Sequence, residues 1–199
     1  MNERRGTAAG VPYLALPPAN DVEAPALVVV LHMMDPPRSE AAMAAALPLS
    51  GVPAWRAYLG LPMFGERAPA GGQEEFFRLL SEDALMNVLA PVVEGAAVEL
   101  PAAVEALRDQ LGTGSRPVAL VGGSAGAAAV LLALAQTDVP AATLAVVNPV
   151  VRITAVVEQG ERQFGMTYPW DAEREARADS SIWSGGRARS RSAIPSRRS

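Results

Sequence analysis

The 199-residue chain contains no cysteine, no lysine and a single histidine. Without cysteine there is no disulfide framework, no thiolate zinc site and no thiol nucleophile. Without lysine there is no P-loop lysine, no Schiff-base lysine and no kinase-type lysine. All 17 basic side chains are arginine. One histidine cannot build a histidine-based metal site unaided, so neither a metal nor a cofactor is expected. No uninterrupted apolar run reaches the roughly 18 residues of a membrane span. The polar start Met1-Asn2-Glu3-Arg4-Arg5 leads into no apolar signal-peptide core. The expectation is a soluble, cytoplasmic protein with no membrane partner.

Half of the residues are hydrophobic, enough for a real core, and the length suits one domain. The net charge of -4 hides an asymmetry. Residues 179–199 carry five arginines against Asp179, a net +4, which leaves -8 on residues 1–178. The acidic body gives no electrostatic reason to bind nucleic acid. Residues 1–178 are therefore read as the core. Residues 179–199 are read as a basic Ser/Arg/Gly-rich tail, expected to be disordered because it cannot bury enough surface to offset its ordering entropy. Such a tail also fits a GC-rich gene read out of frame.

Ala26-Leu-Val-Val-Val-Leu31 is a β-branched apolar run without alternation, the pattern of a strand buried on both faces of a parallel sheet. Pro36-Pro37 ends it, and Ser39 caps a predicted helix through Leu47. Residues 55–61 read as a second strand, 65–72 as a loop, and 73–80 and 83–111 as helices. Residues 117–121 form a third strand, 127–136 a helix and 144–147 a fourth strand. Strands alternating with helices predict an α/β fold with a mostly parallel sheet.

Gly122-Gly123-Ser124-Ala125-Gly126 matches G-x-S-x-G between a buried strand and a small-residue helix. In a turn that tight the serine backbone is strained and Oγ projects above the sheet. Side chains at Gly122 or Gly126 would collide with neighbours. Two other readings stay open: a phosphate-binding loop and a turn that simply packs. A dinucleotide fingerprint requires a glycine where Ser124 stands, and no acid ends the next strand.

These segments resemble the α/β-hydrolase superfamily, and more nearly the small bacterial esterases and prolyl-oligopeptidase-like hydrolases of actinobacterial type. The resemblance rests on Leu31-His32-Met33-Met34-Asp35-Pro36-Pro37, the segment 55–62, the G-x-S-x-G turn, and Gly165-Met166-Thr167-Tyr168-Pro169-Trp170. It spans residues 10–178 and implies a three-layer α/β/α fold. It also implies hydrolysis of short-chain carboxylic esters through an acyl-enzyme on Ser124, with no cofactor. The oxyanion donors would be the backbone N–H groups of Ala125 and of Met33 or a neighbour. His32 would shape the loop, and less readily serve as base.

The departure is that no histidine follows Ser124, where the order serine, acid, histidine requires one. The chain looks like a hydrolase fold lacking its last strands. Removing a triad member still leaves about 10³–10⁴-fold catalysis over water. The carboxylates Asp171, Glu173, Glu175 and Asp179 are poor substitute bases and read better as a solvated helix face. Trp55, Tyr58, Met63, Phe64, Phe76 and Phe77 line either an acyl pocket or the core. Phe164, Met166, Tyr168 and Trp170 lie where a cap would cover the site. The strand 144–147 would leave an apolar unpaired edge, which predicts a homodimer or higher oligomer. Three functions remain: a serine esterase acting on a small ester, an inactive hydrolase fragment that binds a partner, and a nucleotide-binding protein.

Overall fold

The computed structural model describes residues 2–165 and 167–180. The strands are β1 (Arg4–Ala8), β2 (Val11–Leu16), β3 (Ala26–Leu31), β4 (Ala54–Leu59), β5 (Val118–Gly123) and β6 (Ala141–Val147). They form one sheet in the order β1-β2-β4-β3-β5-β6. β4, β3, β5 and β6 run parallel, and β2 pairs antiparallel to both β1 and β4. The helices are α1 (Glu40–Ala46), α2 (Gly72–Glu82), α3 (Ala90–Leu111), α4 (Ala125–Gln136), α5 (Ile153–Phe164) and α6 (Ala172–Ser180).

The alternation of the pleat divides the core. Leu27, Val29, Leu31, Trp55, Ala57, Leu59 and Leu120 face α3 and α4 in the larger cluster. Val28, Val30, Ala54 and Tyr58 face α1 in a smaller one. That second face thins out beyond α1. Ala119 and Val121 are only half-buried, and β6 is largely open to solvent, with Leu144 40% and Val147 62% exposed. Parallel strands normally have both faces covered. Among the described residues, β6 has a free edge and open faces.

β3 occupies the residues its apolar run predicts. Other boundaries moved. The strand expected at 55–61 ends at Leu59, because the Leu61 N–H leaves the ladder and donates to a ring nitrogen of His32. The helix expected from 127 starts at Ala125, and β6 starts at Ala141. The helix expected at 83–111 begins as a π-helical segment, Ala84–Leu89, before α3. Together these two are long and apolar enough by length and composition to cross a membrane, but half of that stretch is buried in the protein. The loop expected at 65–72 contains a single 3₁₀ turn, Gly65–Arg67. The β1–β2 hairpin was not foreseen. Its tight turn uses Ala9 and Gly10, with φ of 49° and 85°. Most of the expected tail lies outside the described residues. The backbone of 179–180 instead closes α6.

Candidate active site

β5 carries the chain out of the sheet, and α4 begins one residue later. Ser124 occupies that residue with φ 49° and ψ -115°. This is left-handed φ on a residue with a Cβ, outside the usual αL well. The conformation is pinned on both sides. The Ser124 N–H donates to the Val147 carbonyl at 3.0 Å, and its carbonyl accepts from the Ala128 N–H at 3.0 Å. The hydroxyl makes no capping bond to α4, and the side chain is only half-buried.

Two glycines make the turn feasible. A Cβ on Gly122 would lie 2.6 Å from Cα of Ala127, inside the first turn of α4. A Cβ on Gly126 would lie 2.3 Å from the His32 carbonyl oxygen and 2.6 Å from that of Leu31. All these neighbours are backbone, which cannot swing aside. So α4 seats its first turn directly on the end of β3, beside the serine.

The first N–H groups of any helix lack intrahelical acceptors and carry partial positive charge. Ala125 is buried, and among the described residues its N–H has no acceptor. A buried, unpaired donor next to Ser124 suits developing negative charge.

His32 is fully buried at the end of β3. Leu61 N–H donates to Nε2 at 3.0 Å, so Nε2 is the acceptor nitrogen. The proton then sits on Nδ1, 2.7 Å from the Met33 carbonyl. Burial holds the imidazole pKa below 6.5, against the opposing pull of the Met33 carbonyl and Glu40. Phe64 packs edge-on against the ring at 5.6 Å. With both nitrogens engaged, the ring ties the β3 loop to the segment after β4 and is no free base.

Met33 requires a correction. Its N–H donates to the Pro37 carbonyl at 3.2 Å and is not open to a substrate oxygen. Its side chain instead lies over the elbow, where a Cβ on Gly123 would meet Met33 Cγ at 2.8 Å. The next amide, that of Met34, has no acceptor among the described residues.

The aromatic set disperses. Trp55 and Tyr58 are core residues on opposite faces, and the Tyr58 hydroxyl donates to the Leu47 carbonyl at 2.6 Å. Met63, Phe64 and Phe76 line a cleft of about 150 Å³ beside Arg38. Phe77 is half-exposed on α2. Of the expected cap residues, Met166 and the Phe164 side chain lie outside the described residues. Tyr168 and Trp170 pack edge-to-face on each other, with ring centroids 4.8 Å apart.

Tyr168 also belongs to a polar cluster that sequence reading missed. Asp83 caps the π-helical segment by accepting the Met86 N–H at 3.0 Å. The Tyr168 hydroxyl donates to the same carboxylate, and Arg174 Nε donates at 2.8 Å. Burial pushes the Asp83 pKa up, but these donors outweigh it and leave it below 3.8. Burial and Asp83 together push the Tyr168 hydroxyl up to about 12. Among the carboxylates weighed as bases, Asp171 caps α6 and pairs with Arg174. Glu173 and Glu175 are exposed, and the Asp179 side chain lies outside the described residues.

No family model matches the sequence, and no curated protein matches it. Solved structures do. TT1662 from Thermus thermophilus is 25% identical with a TM-score of 0.61, covering 92% of this chain and 68% of that one. A puromycin-hydrolyzing peptidase from Mycobacterium tuberculosis is 21% identical with a TM-score of 0.60, covering 91% of this chain. A puromycin hydrolase variant complexed with PGG is 23% identical with a TM-score of 0.53, covering 90%. The chain spans only 28% of the length of each of these last two. The mixed six-stranded sheet, the helices on its two faces and these likenesses lead to one conclusion: the chain has the α/β-hydrolase fold.

Proposed function

We propose that Ser124 is the nucleophile of a serine hydrolase acting on carboxylic esters. The observation that supports this best is its backbone, held at φ 49° and ψ -115° between β5 and the unpaired N-terminus of α4. In the proposed reaction, Oγ attacks the ester carbonyl carbon. The tetrahedral oxyanion takes hydrogen bonds from the N–H groups of Ala125 and Met34, and the alkoxide leaves with the proton that Oγ gives up. Water then attacks the acyl-enzyme and releases the acid. Because the only histidine is engaged, proton transfer falls to solvent or to a group outside the described residues. Esters with good leaving groups suit such a site best.

The engaged His32 also supports a second reading, a hydrolase fold that binds a partner without turning over. Hydrolysis of p-nitrophenyl acetate and butyrate, beside Ser124→Ala and intact mass after fluorophosphonate treatment, separates the two. One adduct on Ser124 with activity lost in the variant is the expected result. No adduct, with equal rates for both proteins, refutes the esterase.

We also propose that β6 pairs with β6 of a second copy. Its residues Ala141–Val147 carry no charge, and neither edge blocking nor helical cover protects them among the described residues.

A further inference from the structure

An apolar cleft is lined by α2, the π-helical segment and α5. It measures about 530 Å³, within the roughly 300–1,000 Å³ of small-molecule sites. Phe77, Leu80, Ala84, Leu89, Val156 and Val157 supply its apolar walls. Its polar side chains are already engaged. Ser81 Oγ donates to the Arg78 carbonyl at 2.9 Å, and a Glu161 carboxylate oxygen accepts the Tyr168 N–H at 2.6 Å. Among the described residues no cation lines the space, so an anionic ligand group would go unpaired there.

Gly160 is the second observation. It sits inside α5 on the cleft wall, and a Cβ there would meet nothing within 4 Å. Its φ is not left-handed. Neither crowding nor turn geometry among the described residues requires glycine, which is less stable than alanine in a helix interior. Bare backbone does allow close approach of a ligand. The opposite wall is π-helical, an irregularity frequent at functional sites.

We propose that this cleft binds the hydrocarbon part of a neutral small molecule, an aliphatic chain or aromatic ring lying against the α5 backbone at Gly160. The proposal is independent of the esterase reading, since no residue of the Ser124 turn lines the cleft. The test is fluorescence titration of the full chain with neutral N-phenylnaphthylamine, with circular dichroism confirming that each variant is folded. Wild type and Ser124→Ala are expected to bind one equivalent saturably. Gly160→Trp, and Ala84→Phe from the opposite wall, are expected to weaken binding by at least about tenfold. Val98→Ser, an exposed change on α3, is expected to leave it unchanged. Equal affinity in all folded variants overturns the proposal. So does probe binding that is absent from the wild type while Gly160→Trp dissociates an oligomer, which would assign the cleft to a second copy.

Discussion

Ser124 should be easier to hold as glycine than as any residue with a Cβ. A residue in a sparsely populated φ/ψ region costs about 1–3 kcal/mol. At φ 49° and ψ -115° that cost arises from the Cβ, not from the hydroxyl, which makes no bond to α4. Ser124→Ala keeps the Cβ and is expected to stay within about 0.5 kcal/mol of wild type. Ser124→Gly removes the strain but gains unfolded-state freedom, which offsets about 0.5–1 kcal/mol. The net expectation is stabilisation of about 0.5–2 kcal/mol over Ser124→Ala. For a domain of this size, 1 kcal/mol moves Tm by about 2–4 °C, so Ser124→Gly should melt about 1–8 °C higher. Urea denaturation read by tryptophan fluorescence and by circular dichroism measures the difference, provided the two transitions coincide. Both variants lose the nucleophile, so activity does not enter the comparison. A urea midpoint for Ser124→Gly at or below that of Ser124→Ala refutes the strain.

His32 is the sole histidine, and burial holds its folded pKa below 6.5. The unfolded chain therefore takes up the proton first, and stability should fall as pH drops below about 6.5. His32→Asn should cost about 2–4 kcal/mol at pH 7.5 yet flatten the change in urea midpoint between pH 7 and about 5.5. Asp83 has its folded pKa below 3.8, so its contribution is present above that value and is lost as pH falls through the folded pKa. Tyr168→Phe should cost about 1–3 kcal/mol by leaving the Asp83 carboxylate short of a donor, and a double-mutant cycle with Asp83→Asn should show coupling. Leu144→Lys, which puts charge on the open β6 strand, should shift sedimentation from dimer to monomer. A wild-type monomer at working concentration would remove the edge-pairing proposal.

What the sequence showed of this fold was what is local. β3 was legible because five β-branched or leucine residues in succession sit between a start at Ala26 and the block at Pro36-Pro37. The α1 cap was legible because a serine three residues before an amide makes its own bond, here Ala42 N–H to Ser39 Oγ at 3.1 Å. β1 was not legible. Its residues Arg4, Arg5, Gly6 and Thr7 are exposed and polar, and they form a strand only because β2 pairs with them. The polar cluster at Asp83 joins residues 85 and 91 positions apart, which no spacing rule reaches. The choice between Met33 and Met34 turned on where the Pro37 carbonyl falls, a matter of loop geometry rather than residue type.

The same division bears on whether Ser124 works. Five consecutive residues, with the end of β3 behind them, suffice to strain the serine and to leave the Ala125 N–H unpaired. A base, by contrast, must come from a distant part of a chain, and the only histidine here has both nitrogens bonded. If the turn merely packed, glycine at 124 would satisfy it with less strain, since neither the hydroxyl nor the Cβ makes a structural bond to α4. Strain of about 1–3 kcal/mol persists at positions where the strained geometry itself is used. Of the two readings, that favours a serine presented for attack over an inert fold, and it makes the fluorophosphonate adduct, which needs one attack by Oγ but no deacylation, a sharper discriminator than turnover.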